Sequence, residues 1–120
     1  MRLAFEAKFV DCGDAIGGEI LQLSFDTVPA IHDAEERCTP YVLISRNFEF
    51  PGPATIEWYD GQNYDGGAEI RSLNLLRDRV SIKLDRNLEL EVVFRVTDKK
   101  FAMLKSFLRR MIDASFYITD

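Results

Sequence analysis

Residues 88–112 read LELEVVFRVTDKKFAMLKSFLRRMI, and the spacing of their apolar side chains changes once along this stretch. From Leu88 to Val96 an apolar side chain stands at almost every second position, which predicts a half-buried strand. Thr97 or Asp98 can then cap a helix by accepting hydrogen bonds from its first N–H groups. The apolar spacing after them is three or four residues, which predicts a helix over 98–113 with the apolar stripe Phe101, Leu104, Leu108 and Met111, widened by Phe107 and Ile112.

The chain before this stretch contains further alternating segments. Tyr41–Ile44 is apolar on both faces, which is typical of a central strand, and the skipped alternation after Ile70 predicts a β-bulge. Alternation elsewhere predicts half-buried strands that begin near Leu3, Leu21, Thr55 and Val80.

Turn residues predict where these strands end. Gly13 and the Gly17-Gly18 pair predict a turn after a first strand whose buried face ends at Phe9, and residues 60–67 are expected to form a loop. The elements together predict an α+β fold, a mostly antiparallel sheet of about six to seven strands with a C-terminal helix packed on one face. We expect a single domain over 1–120, with a β-rich body over 1–96.

Composition excludes several classes of protein. The 120 residues are 47% hydrophobic and 29% charged, as in a globular protein, and the net charge of -5 argues against a general nucleic-acid binder. No apolar run approaches the roughly 18 residues of a membrane span. The opening MRLAFEAKFV carries Glu6 and Lys8, unlike a signal peptide, so we expect a cytoplasmic protein without a membrane partner.

The charge is unevenly distributed along the chain. Residues 1–60 contain 4 basic and 11 acidic residues, net -7, whereas residues 61–120 contain 11 basic and 9 acidic residues, net +2. The acidic first half suggests a basic partner. The basic residues of the predicted helix are expected to form a solvated face.

Few residues in the sequence are suited to catalysis. Cys12, Cys38 and the single His32 have no metal-ligand spacing, and no glycine-rich phosphate loop is present, so we expect neither a metal nor a cofactor. One alternative hypothesis is an enzyme, a small hydrolase or isomerase that uses His32 with a nearby carboxylate. Another is a structural protein that forms homodimers through its C-terminal tail, Phe116-Tyr117-Ile118.

The stretch 57–67, EWYDGQNYDGG, combines three aromatic residues with three carboxylates. Trp and Tyr are frequent at interface hot spots, and neighbouring carboxylates can pair with lysine or arginine of a partner. Alternation places Trp58 on the buried face with Ile56 and Tyr59 on the exposed face. The partner-binding residues predicted from this stretch and from the preceding turn are Glu49, Glu57, Tyr59, Asp60, Tyr64 and Asp65.

Three runs carry a resemblance to a known family. They are YVLISR from Tyr41, YDGGAEI from Tyr64 and LLRDRVSIKL from Leu75. These runs, followed by a C-terminal helix, resemble the immunity protein 10 family, although Ser45 stands where the pattern has a polar amide. The resemblance covers roughly residues 41–112. It implies a protein without enzymatic activity that binds and neutralises a cognate toxin domain of a bacterial polymorphic toxin system, such as a basic nuclease, by occlusion.

Overall fold

The computed structural model describes residues 2–15, 17, 19–27, 39–50, 52–85, 88–112 and 117–119. Within this part the chain forms nine strands and one helix. The elements are β1 (Arg2–Ala7), β2 (Phe9–Ala15), β3 (Ile20–Asp26), β4 (Tyr41–Asn47), β5 (Thr55–Tyr59), β6 (Tyr64–Leu75), β7 (Arg79–Leu84), β8 (Glu89–Phe94), α1 (Asp98–Met111) and β9 (Tyr117–Thr119).

The predicted α+β architecture is confirmed, with more strands than the expected six to seven. Eight strands follow the order β1-β8-β7-β6-β5-β4-β3-β2, and β9 pairs with β6. All neighbours are antiparallel except β1 with β8 and β6 with β9. The first predicted strand is two strands, because the buried face changes at Lys8: Val10 is buried, whereas Phe9 is 39% exposed. The prediction for Phe9 is therefore wrong, and Gly13 lies inside β2 instead of in a turn.

The sheet curves, which brings one end of each of its two edge strands together. β1 and β2 stand at opposite ends of the strand order, yet only Lys8 separates them along the chain. β6 also turns a corner, since Tyr64–Glu69 pairs with β5 and Ile70–Leu75 pairs with β7, with an irregular register between Ile70 and Ser72. This confirms the predicted bulge. Strands that pass from one sheet layer to another in this way enclose a core between the layers.

The helix begins and packs as its sequence predicts. Thr97 is the N-cap, and its side chain accepts a hydrogen bond from the backbone N–H of Lys100. The helix ends at Met111, two residues before the predicted end, because Ile112 has extended backbone angles. Leu104 and Leu108 are fully buried in the same core as the inner side chains of β2–β8. No helix in the described ranges has the length and hydropathy that a membrane span requires.

The chain terminus adds a strand to the sheet of its own molecule. β9 pairs in parallel with residues Leu73–Leu75 of β6. β5 pairs with β6 only as far as Glu69. β9 occupies the same edge of β6 further along that strand, where β5 no longer pairs with it. The backbone of Tyr117–Thr119, in the tail that the dimer alternative invokes, therefore extends the sheet of its own chain.

Candidate functional site

Three tyrosines stand side by side on the face of the sheet that points away from the helix, with Tyr41 buried at 9% exposure, Tyr59 half-buried and Tyr64 exposed. Tyr41 of β4 pairs with Tyr59 of β5, which pairs in turn with Tyr64 of β6. Directly paired residues share one face of a sheet, so we call these three residues the tyrosine row. The rings of Tyr41 and Tyr59 have centroids 6.2 Å apart, and Tyr64 is 62% exposed. The row spans about 10 Å across three strands.

The side chain of Tyr64 lies against a glycine two residues further along the chain. A Cβ atom built on Gly66 would lie 2.6 Å from the phenol oxygen of Tyr64, closer than real Cβ contacts allow. In this rotamer the Tyr64 phenol therefore lies close to the backbone of Gly66, and a larger residue at position 66 would displace it.

Carboxylates flank the tyrosine row. The phenol of Tyr41 donates a hydrogen bond of 2.5 Å to Oε2 of Glu57. Asp11 is exposed on the same face as Glu57. Strand pairing connects the two carboxylates through Leu43 of β4 and Ser24 of β3. Glu69 is exposed on the same face, opposite Thr55. A phenol that donates to a carboxylate orients it before any partner arrives.

The face that carries the tyrosine row contains no basic side chain on β2–β5. On these strands, the described side chains that point away from the core are apolar, neutral or acidic. The basic residues of α1 lie on the other side, because the helix packs against the core side of β2 and β3. The outer face of β7 and β8 carries both signs, where Arg79 donates to Glu91 over 3.1 Å. Charge in the described part is thus segregated by face.

The turn from β5 to β6 is shorter than the predicted loop over 60–67, because β6 already begins at Tyr64. Oδ1 of Asp60 accepts hydrogen bonds from the backbone N–H groups of Gln62 and Asn63, at 2.8 and 2.5 Å. The phenol of Tyr59 donates to the carbonyl of Gly61 over 2.9 Å. The turn is therefore fastened by the side chains of two predicted site residues, and both oxygens of Asp60 accept hydrogen bonds within it, Oδ2 from the side-chain amide of Asn63 at 3.3 Å.

Protonation of Asp60 is expected to weaken this turn. Hydrogen bonds from the N–H groups of Asn63 and Gln62 hold the pKa of the Asp60 carboxyl below its ordinary value. A depressed folded-state pKa adds stability above the unfolded pKa of about 3.9, and that stability is lost as the pH falls through the folded value.

Asp60→Ala should therefore lower the melting temperature at pH 7 and lower it less at an acidic pH below the folded-state pKa, where the carboxyl is protonated in both states. Thermal unfolding at both pH values measures this difference. Asp60→Asn, which keeps Oδ1 and loses the charge, is the matched control. An Asp60→Ala deficit of equal size at both pH values would contradict the assignment.

Four of the six predicted site residues lie together: Glu57, Tyr59, Asp60 and Tyr64. The backbone of Asp65 pairs with Trp58, while the side chain of Asp65 lies outside the described part. Glu49 does not join them. It lies in the connection from β4 to β5, at the opposite end of these strands, about 20 Å away at about 3.3 Å per residue.

The sequence interpretation missed Tyr41 and Asp11, whose places on this face follow from strand pairing.

Trp58 is buried, as predicted, at 5% exposure. No group of three or more potential metal ligands occurs among the residues that the structure describes. Burial raises the pKa of the Cys12 thiol, which disfavours the thiolate. His32, the residue of the enzyme alternative, lies outside the described part, as does Cys38.

No protein-family model matches the chain, and no curated protein matches it in sequence. The likeness to the immunity protein 10 family stays a prediction.

Proposed function

We propose that this chain is an immunity protein that binds a basic toxin domain through the tyrosine row and the carboxylates Glu57, Asp60 and Asp11. The observation that carries the proposal is the segregation of charge, which leaves an acidic, ring-bearing face without lysine or arginine on β2–β5. Such a face neutralises its partner by covering it, and it needs neither a nucleophile nor a cofactor.

The tyrosine row supplies the affinity in this proposal. Tyrosine buries a large area at small entropic cost and is enriched at interface hot spots. Tyr59 and Tyr64 present the accessible ring area, and the buried Tyr41 supports them from the paired strand β4, so little further ordering is needed on binding. The open face of a phenol ring also attracts the cationic side chains of a basic partner.

The carboxylates supply orientation and speed of association. Glu57 is half-buried and already oriented by Tyr41, so it can pair with an incoming lysine or arginine without searching for a geometry. Exposed carboxylates such as Asp11 steer a basic partner towards the face. Because salt screens exposed charges over about 10 Å at 0.1 M, the association rate should fall as the salt concentration rises.

The family resemblance favours a toxin as the partner. Two of the three runs that carry it, YVLISR and YDGGAEI, begin with Tyr41 and Tyr64. These tyrosines are far apart in sequence and become members of one row in the folded chain. The alternative of a homodimer through the tail receives no comparable support, because β9 pairs within its own sheet.

Co-expression with the toxin encoded next to its gene tests the proposal. We expect the chain to protect the cells and to be recovered in a complex with the toxin by affinity purification. The rate of association, measured by surface plasmon resonance, should decrease between about 0.05 and 0.5 M salt. Absence of both a complex and protection would refute the proposed function.

A further inference from the structure

A pocket of about 320 Å³ lies on the core side of the sheet, away from the tyrosine row. It is found where the end of β4, the start of β5, the middle of β6 and the end of α1 meet. Its walls include Ala54, Ile70, Met111 and Ile112, all of them buried. Walls made of core residues keep their shape without a ligand, which is usual for small-molecule sites.

Arg46 is the only charged side chain among the described residues that line this pocket. Its Nη1 atom donates a hydrogen bond of 2.8 Å to the carbonyl of Met111, and its guanidinium carbon lies 4.7 Å from the centre of the Phe48 ring. The guanidinium is therefore held from two sides. The bond to Met111 uses one of its five N–H groups, and no carboxylate of the described residues pairs with it.

The pocket therefore combines an apolar body with one oriented cation. A guanidinium offers parallel N–H groups that match the two oxygens of a carboxylate. The apolar walls fit a hydrocarbon body, and no lining carboxylate in the described part repels an anion. Gly52, another lining residue, has a φ of 130°, a backbone angle that glycine adopts readily because it has no Cβ atom.

We propose that this pocket binds a small monocarboxylate with a compact apolar body, whose carboxylate pairs with Arg46 and whose hydrocarbon part contacts Ile70 and Ile112. The volume favours a small ligand, since it lies at the lower end of the range of about 300–1,000 Å³ that is usual for ligand pockets. Octanoate, with eight carbons and two oxygens, matches that size. The site is separate from the proposed docking face, and neither depends on the other.

Titration of the full chain with octanoate, followed by ¹H–¹⁵N NMR, tests the proposal. We expect saturable shifts at the amides of Gly52 and Ile112, with a Kd between roughly 0.1 and 1 mM for a ligand of this size. Octanamide has the same shape without the charge and should bind about tenfold more weakly or worse. Arg46→Met should weaken octanoate binding by a similar factor.

Arg110→Met is the matched control, since Arg110 is an exposed arginine near the end of α1, the helix whose last residue lines the pocket. It should leave the octanoate Kd unchanged. No saturable shift up to about 10 mM octanoate, or equal binding of octanamide, would overturn the proposal. Equal binding by Arg46→Met would also do so. The comparison of octanoate with octanamide uses the unmodified chain, so it stays decisive even if Arg46→Met folds poorly. Toxin binding by the same sample would remain a separate question.

Discussion

Glu57→Lys is expected to weaken the proposed toxin complex by about 2–5 kcal/mol, roughly thirtyfold or more, since charged groups that are desolvated at an interface have effects of this size. Glu57 is half-buried beside the tyrosine row and receives the phenol hydrogen of Tyr41. A lysine there would place a cation against a cationic partner and would remove the acceptor of that phenol. Isothermal titration calorimetry with the purified toxin domain measures the change.

Glu6→Lys provides the matched control, because Glu6 is an exposed carboxylate on β1, away from the tyrosine row. Both variants change the net charge by the same amount, so a general charge effect would weaken binding equally. Tyr64→Ala is a useful third variant, since its 62% exposure makes loss of folding a small concern. The docking face would be wrongly placed if Glu57→Lys and Tyr64→Ala bound as tightly as Glu6→Lys.

Leu108→Ala is expected to reduce the free energy of unfolding by about 2–5 kcal/mol, because it leaves a cavity among core side chains. Leu108 is fully buried on the stripe by which α1 packs against the sheet. Equilibrium unfolding in urea, followed by circular dichroism, gives the difference in stability.

Arg109→Ala tests the neighbouring exposed position on the same helix turn and should change stability by no more than about 0.5 kcal/mol. A loss below about 1 kcal/mol for Leu108→Ala would show that the helix is not packed as described. Equal losses for both variants would indicate an effect on helix formation instead of packing.

The helix was predictable because its signals are local. The cap at Thr97 and the apolar stripe through Leu104 and Leu108 lie within fifteen residues, and the structure reproduces both. The bulge after Ile70 was predictable for the same reason, since a skipped alternation is visible in one segment. Phe9 was misassigned because the alternation of one strand does not show where the sheet turns a corner.

The candidate site was only partly predictable. The aromatic and acidic composition of 57–64 pointed to Glu57, Tyr59, Asp60 and Tyr64, which are near in sequence. Glu49 was placed with them by charge alone, yet it lies at the far end of the strands. The pocket beside Arg46 left no local signal, because Arg46 and Met111 are 65 residues apart.

Local side-chain spacing alone was enough to predict most of the strands and the helix with its cap, and residue counts alone showed the acidic character of the first half. Long-range folding was needed to establish which residues meet. The tyrosine row exists because β4, β5 and β6 pair in one register, and a shift by one residue would turn Tyr59 to the other face. Register and curvature depend on the whole core, to which strands from the entire chain contribute, so no single segment encodes them.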